Sequence, residues 1–381
     1  MTTTAARRTR YLDGLRGLAA LQVVLHHTYL TVYPLALGVY PTGLTKLVTS
    51  SMMIAGLGVT MFVVLSGYSL SMSAHRHGWT MPDGTKPFLY RRARRLLPAY
   101  YVALLISIPL GLTVLSERTG SLWDTSVPFD ATDVLGHALL AQDIVGYPYA
   151  INHPLWSISM TFHLYLLFPV FAACAVRWGI TRVAMWAIVL STPIAIVAFS
   201  DTTAPVLLRQ FQFVGEFAAG MATLAIVRDG GAFAWRGRTV HPPWTKLAIA
   251  CFAVWVIAPA NHLNHLPFAL GLCCLLVELG TGGLVRLRRA LEWRAIAWVG
   301  SVSLSLYLIH ALVVHAVWLT VLRPAGHGVG HLLTLILLLP LALGASLLAA
   351  FLFARFVERP LAPRSAPIVA AAPDQAPRGT P

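Results

Sequence analysis

Long apolar segments recur along this chain and constrain its fold more than any other feature. Ten of them hold about 20 residues each, the length that an α-helix needs to cross the ~30 Å hydrocarbon core of a bilayer. Only 11% of the 381 residues are charged, against about 25% in a soluble domain, so the chain lacks the polar surface of a water-soluble globule. We therefore predict an all-α, polytopic membrane protein whose ten transmembrane helices cover roughly residues 11–33, 47–73, 88–115, 155–176, 181–199, 209–228, 245–261, 263–281, 296–322 and 328–355.

The distribution of lysine and arginine predicts which side of the membrane each loop faces. Cytoplasmic loops hold an excess of basic residues, and an even number of spans places both termini on one side. With both termini cytoplasmic, all but five of the 28 lysines and arginines lie in cytoplasmic segments. Those five are Arg16 within the first span and Lys46, Arg118, Arg209 and Arg323 outside. A nine-helix alternative, without a turn at 259–267, would place the basic cluster 286–294 outside, which the charge rule disfavours.

The predicted spans form one domain between two tails. We assign residues 1–10 to a cytoplasmic N-terminal tail and residues 11–360 to the transmembrane domain. The long loop 116–154 is acidic, is predicted to be extracytoplasmic, and contains a predicted short helix near 131–142. The C-terminal tail 361–381 is rich in proline and alanine and has no apolar face to bury, so we expect it to be disordered.

Composition and motifs exclude several functional classes. The net charge of +14 is spread between the apolar segments instead of forming one patch, so we expect no nucleic-acid partner. The sequence contains no GxxxxGK[ST] motif, which argues against a P-loop nucleoside triphosphatase. We expect neither a disulfide framework nor a metal site, because the four cysteines all lie within apolar segments. These are Cys174, Cys251, Cys273 and Cys274.

Ionisable residues inside a span are costly, and they are functional candidates by default. In the first span Arg16 and His27 are eleven residues apart, so they share one helix face, about 20° from perfect alignment. His26 is about 80° off that face, which favours His27 as the functional histidine. Asp13 lies near the same face and is expected to pair with Arg16. The structural alternative is a packed histidine and an arginine that reaches the membrane interface.

Two later spans carry similar polar stripes. Ser303, Tyr307 and His310 follow the i, i+4, i+7 spacing of one helix face. Such residues can also join helices to one another in lipid, so the spacing leaves a structural and a functional role for His310 open. Arg209 and Glu216 are seven residues apart, and we expect Glu216 to pair with a buried arginine rather than to act as an acid or base.

Seven segments, in order along residues 11–360, resemble the motifs of the membrane-bound acyltransferase 3 family. The first is LDGLRGLAALQVVLHH, in which ten residues separate Arg16 from His27. The others are GVTMFVVLSGYSL (58–70), FLYRRARRLLPAYY (88–101), HPLWSISMTFHLYLLFP (153–169), VGEFAAGM (214–221), VGSVSLSLYLIH (299–310) and VERP (357–360). Each motif alone is weak, but their order makes the resemblance specific.

The resemblance implies an enzyme that transfers an acyl group, expected to be acetyl, from acyl-coenzyme A to a hydroxyl acceptor. We expect His27 to take the acceptor proton and Arg16 to bind the coenzyme. The coenzyme phosphates are expected to meet Arg91, Arg92, Arg94 and Arg95, for which membrane anchoring alone is the alternative. The side chains expected to orient the acceptor, the base or Arg16 are Asp13, Ser66, Tyr165, Glu216, Tyr307 and His310.

One position departs from the family pattern. Relatives usually have a glutamate five residues after the tryptophan of the fourth motif, and this chain has Thr161 there. His163 cannot replace it simply, because two residues along a helix are 200° apart around the axis. The departure predicts either compensation elsewhere or a different acceptor.

Other functions are compatible with parts of the sequence. A carrier or flippase would also line a path with intramembrane charges, although no internal repeat supports one. The unrelated membrane-bound O-acyltransferase superfamily shares the chemistry but centres on a different Asn/His pair. Possible acceptors are cell-envelope polysaccharide, a lipid-linked sugar or a specialised metabolite such as a macrolide. The Ala-, Arg- and Leu-rich composition is typical of a high-GC bacterium, so we expect a multi-pass protein of the bacterial cytoplasmic membrane.

Overall fold

The protein is almost entirely helical. A computed structural model describes residues 2–35, 38–49, 52, 56–201, 203–235, 237–257, 265–323 and 330–361. The helices are α1 Thr2–Val32, α2 Gly43–Thr49, α3 Gly56–Arg76, α4 Thr85–Leu112, α5 Ala131–Ala138, α6 Trp156–Trp178, α7 Ile180–Ser200, α8 Val206–Arg209, α9 Gln212–Arg228, α10 Trp244–Ile257, α11 His265–Thr281, α12 Val285–Leu291, α13 Arg294–Ser301, α14 Ser303–Val317, α15 His331–Phe353 and α16 Arg359–Leu361. The strands β1 Phe233–Trp235 and β2 Arg238–Val240 form an antiparallel hairpin.

Within the described ranges, seven helical segments are long and apolar enough to cross a membrane, or eight if the bent pair α11 and α12 forms one span. The seven are Leu57–Arg76, Thr85–Leu112, His153–Trp178, Ile180–Ser200, Val206–Arg228, Ser303–Leu322 and His331–Leu361. Helix α10 is apolar but shorter, and α1 is long but carries Arg16 and two histidines that lower its hydropathy. The predominantly helical fold with several membrane-spanning candidates is confirmed, whereas the count of ten spans and the side of the termini stay predictions.

The helix boundaries differ from the predicted spans at several places. Helix α3 begins at Gly56, well after the predicted start of its span at residue 47. The segment 296–322 is divided at Val302 between α13 and α14. The predicted turn at 259–267 and the tail after residue 361 lie mostly outside the described residues.

Glycines allow α1 to pack directly against the backbone of neighbouring helices. A Cβ at Gly17 would meet the carbonyl oxygen of Ile296, and one at Gly300 would collide with the carbonyl of Asp13. The same kind of contact joins α3 to α9, because a Cβ at Gly67 or Gly220 would collide with the backbone of the other helix. Small residues at such crossings are the usual way for helices to approach closely in lipid. They hold α1 and α3 in the centre of the protein.

The segment between α4 and α6 is folded onto the transmembrane helices. Asp130 caps α5, accepting hydrogen bonds from the backbone N–H groups of Thr132 and Asp133. The Tyr100 hydroxyl donates to the carbonyl of His137 at 2.8 Å. Deeper in the protein, the side-chain amide of Asn152 donates to the carbonyl of Leu308 at 3.0 Å. The predicted short helix is therefore present as α5, and a carboxylate of this acidic segment stabilises its fold.

Candidate active site

A cavity of about 150 Å³ opens among α1, α3, α4, α6 and α14. Three guanidinium groups line it together with several hydroxyls and a set of apolar side chains. We call it the arginine cavity. Its lining is Arg16, Val59, Phe62, Ser66, Ser69, Leu70, Arg92, Arg95, Leu96, Ser157, Ile158, Thr161, Tyr165, Ser303, Leu304 and Tyr307.

Arg16 is held in place from both sides of its guanidinium group. Its Nη1 donates to Asp13 Oδ1 at 2.8 Å, the pair expected from the helical spacing. Its Nη2 donates to Ser69 Oγ on α3 at 2.7 Å. The guanidinium group is planar, so hydrogen bonds from both of its Nη atoms fix its orientation in the cavity. Sequence reasoning missed Ser69, although it lies three residues after Ser66 and therefore near the same helix face.

The four arginines at the start of α4 separate into two pairs. Arg92 and Arg95 line the cavity, as residues three apart on one helix face can do. Arg91 is exposed and pairs with Asp83 at 3.0 Å, and Arg94 lies over the ring of Tyr90. The structure therefore brings two of the four predicted phosphate contacts to the cavity and directs the other two away from it.

Hydroxyl groups form the wall of the cavity between α6 and α14. Ser157 Oγ donates to the Tyr307 hydroxyl at 2.6 Å, and Tyr165 and Ser303 complete this wall. Thr161 lines the cavity as well. His163 is not part of the lining and instead contacts the buried carboxylate of Asp143 at 3.5 Å. The structure agrees with the helical argument that His163 does not take the place of Thr161.

His27 and His310 form a buried hydrogen-bonded pair, which we call the histidine pair. Nε2 of His310 and Nδ1 of His27 are 2.8 Å apart. His310 is fully buried and His27 is 8% exposed, which places both rings inside the protein. His26 bonds elsewhere, through its Nδ1 to the carbonyl of Met52 at 2.8 Å. Of the two adjacent histidines, His27 is hydrogen-bonded to the polar stripe of α14, a contact that the helical wheel did not predict.

A second, smaller pocket lies against His27. It is lined by His27, Thr31, Leu122, Trp123, His153, Ala311, Val314 and His315, and we call it the outer pocket. The His153 ring is edge-on to the His27 ring at 5.3 Å between centroids, and its Nδ1 is 2.9 Å from Thr125 Oγ1. The His315 ring stacks on Trp123 at 5.1 Å. Sequence reasoning missed these residues, although His153 begins one of the family motifs.

Glu216 lies apart from both pockets. It is buried in α9, and its carboxylate lies near the Thr60 hydroxyl of α3 instead of a guanidinium group. A turn at Gln210 and Phe211 separates it from Arg209, so the seven-residue spacing does not place the two residues on one continuous helix. Arg209 donates to the carbonyls of Ala198 and Asp201.

The helical fold, with several segments able to cross a membrane, and the buried polar cavity are those of a multi-pass membrane protein with a candidate active site. The profile of the acyltransferase domain family Acyl_transf_3 matches residues 9–355, and the chain belongs to this family. The protein is therefore an acyltransferase that acts on a donor and an acceptor in a membrane environment.

The chain is also similar in sequence to two known acyltransferases. The chain is 28% identical over 330 residues to acyltransferase MdmB of Streptomyces mycarofaciens, across 80% of this chain and 78% of the relative. It is 26% identical over 185 residues to peptidoglycan O-acetyltransferase OatA of Listeria monocytogenes, across 45% of this chain and 26% of that protein. No solved structure matches the chain.

Proposed function

We propose that this acyltransferase moves an acyl group, acetyl in the simplest case, from acyl-coenzyme A to a hydroxyl of a cell-envelope carbohydrate. The observation that carries the proposal is the convergence of Arg16, Arg92 and Arg95 on one cavity. Arginine binds phosphate oxygens through planar, two-pronged hydrogen bonds. Three guanidinium groups around one cavity therefore suit a donor with several phosphates.

The donor is expected to lie along α1. The exposed Arg95 and the partly buried Arg92 are one turn apart on α4, and they would meet the phosphates first. Arg16 is held deeper, and His27 follows it by eleven residues, or about 16 Å along the helix axis. Tyr307 is one turn from His310 and lines the cavity. An extended thioester arm that passes Arg16 would reach the wall behind which the histidine pair lies.

His27 is the proposed general base. The acceptor oxygen forms a bond to the acyl carbon as its proton passes to His27, and the carbon–sulfur bond breaks to release the coenzyme thiolate, which regains a proton. General base catalysis of this kind contributes roughly 10²–10⁴-fold in rate. Hydroxyls of Ser66, Tyr165 and Tyr307 are candidates to orient the reacting groups.

The cell-envelope acceptor draws support from the relative whose name includes peptidoglycan O-acetylation. That match covers less than half of this chain, so the acceptor is a separate part of the proposal. A specialised metabolite such as a macrolide is the alternative acceptor. We place the enzyme in the cytoplasmic membrane of a bacterium with its basic loops inside, because that arrangement satisfies the charge rule.

The direct test is an acceptor panel. Purified protein in liposomes would be incubated with acetyl-coenzyme A labelled in the acetyl group and with peptidoglycan fragments, lipid-linked sugars or macrolides. The proposal predicts label in the acceptor as a hydroxylamine-sensitive ester, with release of one coenzyme thiol per ester. Movement of an acceptor across the liposome membrane without thiol release would instead identify a carrier.

A further inference from the structure

We propose that His310 is a positioning residue that fixes which nitrogen of His27 acts as the base. The inference rests on the proposed function, in which His27 takes a proton. It assigns Nδ1 of His27 as the protonated nitrogen and Nε2 as the basic one.

The backbone of α14 determines the protonation of His310. Its Nδ1 is 3.0 Å from the carbonyl oxygen of Leu306 and 2.9 Å from that of Tyr307. A carbonyl oxygen only accepts hydrogen bonds, so Nδ1 of His310 must carry a hydrogen. In a neutral imidazole the other nitrogen, Nε2, is then an acceptor.

The surroundings favour two neutral rings. His310 is fully buried and His27 is 8% exposed. In the described part of the chain, neither ring forms an ion pair with a carboxylate. The rings nearest to His27 besides His310 are those of His26 and His153, which would not stabilise an added positive charge. An isolated charge at such a position in a membrane costs several kcal/mol.

It follows that the hydrogen between the two rings belongs to His27. Nε2 of His310 accepts at 2.8 Å, so Nδ1 of His27 donates. Nε2 of His27 then keeps its lone pair, on the ring edge away from His310. When this nitrogen takes the acceptor proton, the bond from Nδ1 to His310 becomes charge-assisted and about twice as strong. A buried partner that orients a catalytic imidazole and selects its tautomer is the arrangement found in hydrolase triads.

The position of His310 is itself supported by the segment between α4 and α6. Asn152 donates to the carbonyl of Leu308, two residues before His310, and to Ser107 Oγ of α4 at 3.1 Å. These bonds tie the backbone of α14 to α4 next to the ring. The side chain of His27 also lines the outer pocket.

Two variants of similar size test the assignment. In His310→Gln the side-chain amide can place an oxygen where Nε2 of His310 lies, so an acceptor for His27 Nδ1–H remains. In His310→Asn the shorter side chain ends near the Nδ1 position and cannot reach His27. We expect His310→Asn to lower kcat by roughly 10²–10⁴-fold with the donor KM within threefold of wild type. His310→Gln should restore at least a tenfold higher kcat than His310→Asn.

A measurement on the wild-type protein makes the test independent of folding. In ¹⁵N-histidine-labelled enzyme, the ¹⁵N shifts of His27 should show a protonated Nδ1 and a bare Nε2, assigned by the loss of the signals in His27→Ala. Equal kcat in the Gln and Asn variants, or a protonated Nε2 in the neutral wild-type ring, would overturn the assignment. Full activity of His27→Ala would refute His27 as the base, which is a failure of the proposed function and not of the tautomer assignment alone.

Discussion

The arginine cavity and the histidine pair use residues of one helix, α1, but they differ in almost every physical property. The cavity is open, cationic and lined by hydroxyls, with about 150 Å³ of space. The histidine pair is closed in, has no carboxylate ion-pair partner among the described residues, and borders an outer pocket of only about 10 Å³. The contrast indicates different functions for the two regions. The open, cationic cavity suits a large anionic donor, and the buried histidine pair suits proton transfer.

The two regions also differ in how their side chains are held. Arg16 depends on two side chains, Asp13 and Ser69. His310 depends on backbone carbonyls of its own helix. A binding group can tolerate small displacements, whereas a base must be within hydrogen-bond reach of the proton that it removes. We therefore expect substitutions in the two regions to affect different kinetic constants.

The largest effect is expected at the histidine pair. His27→Ala should lower turnover by roughly 10²–10⁴-fold at saturating donor, because it removes the general base. His26→Ala is the matched control and should cost at most a few-fold, since His26 bonds to the Met52 carbonyl and not to His310. Initial rates of acyl transfer by the two variants decide the matter. Similar losses at both positions would mean that the adjacent histidines have a shared structural role.

The next largest effect is expected at Arg16, the member of the arginine cavity that lies on α1. Arg16→Ala and Arg16→Lys should each reduce kcat/KM roughly 10- to 100-fold, which corresponds to about 1.5–3 kcal/mol for a charged hydrogen bond. Lysine retains the charge, but its single ammonium group cannot reproduce the planar pair of Nη donors that bonds to Asp13 and Ser69. Steady-state kinetics with varied donor concentration measure this. Near-normal kinetics of the lysine variant would show that a point charge is sufficient.

A smaller effect on the donor alone is expected at the mouth of the arginine cavity. Arg92→Ala and Arg95→Ala should each raise the donor KM about tenfold, the loss of roughly 1.4 kcal/mol of phosphate binding. Arg91→Ala and Arg94→Ala should raise it about twofold or less, because these exposed side chains face away from the cavity and act through screened, long-range attraction. Equal effects of all four substitutions would indicate that the donor is attracted by the general positive charge of this segment and does not bind specifically to Arg92 and Arg95.

The smallest effect on activity is expected from cysteines that report the side of the membrane. In a cysteine-free background, Ala131→Cys on α5 and Thr85→Cys at the start of α4 are both exposed and should retain nearly full turnover. A membrane-impermeant maleimide should label Ala131→Cys in intact cells and Thr85→Cys only after lysis. The reverse pattern would place the arginine cavity on the outer side and contradict the orientation.

The sequence predicted those parts of the site that depend on one helix. The pairing of Arg16 with Asp13 follows from angles on a helical wheel, and α1 is continuous through both residues. The choice of His27 over His26 rests on the same angles and stays a prediction. The stripe of Ser303, Tyr307 and His310 was found for the same reason. The apolar segments predicted the helical membrane fold, since few other structures satisfy the backbone in lipid.

Contacts between distant segments could not be predicted from periodicity. His27 and His310 are 283 residues apart in the chain, and Ser157 and Tyr307 are 150 apart. A helical wheel shows that Arg92 and Arg95 lie on the same face of α4, but it does not show which face of α4 lines the cavity. Helix α1 was predicted to cross the membrane, but its polar residues lower its hydropathy, and α1 is not among the described segments that are long and apolar enough to span.

The most direct test of the division between binding and chemistry is the dissociation constant of acetyl-coenzyme A. It would be measured by calorimetry on nanodisc-embedded wild type, His27→Ala and Arg92→Ala, with turnover determined on the same preparations. We predict that His27→Ala binds the donor within about twofold of wild type while losing turnover, and that Arg92→Ala binds it about tenfold more weakly. Tenfold weaker binding by His27→Ala, or unchanged binding by Arg92→Ala, would contradict the account.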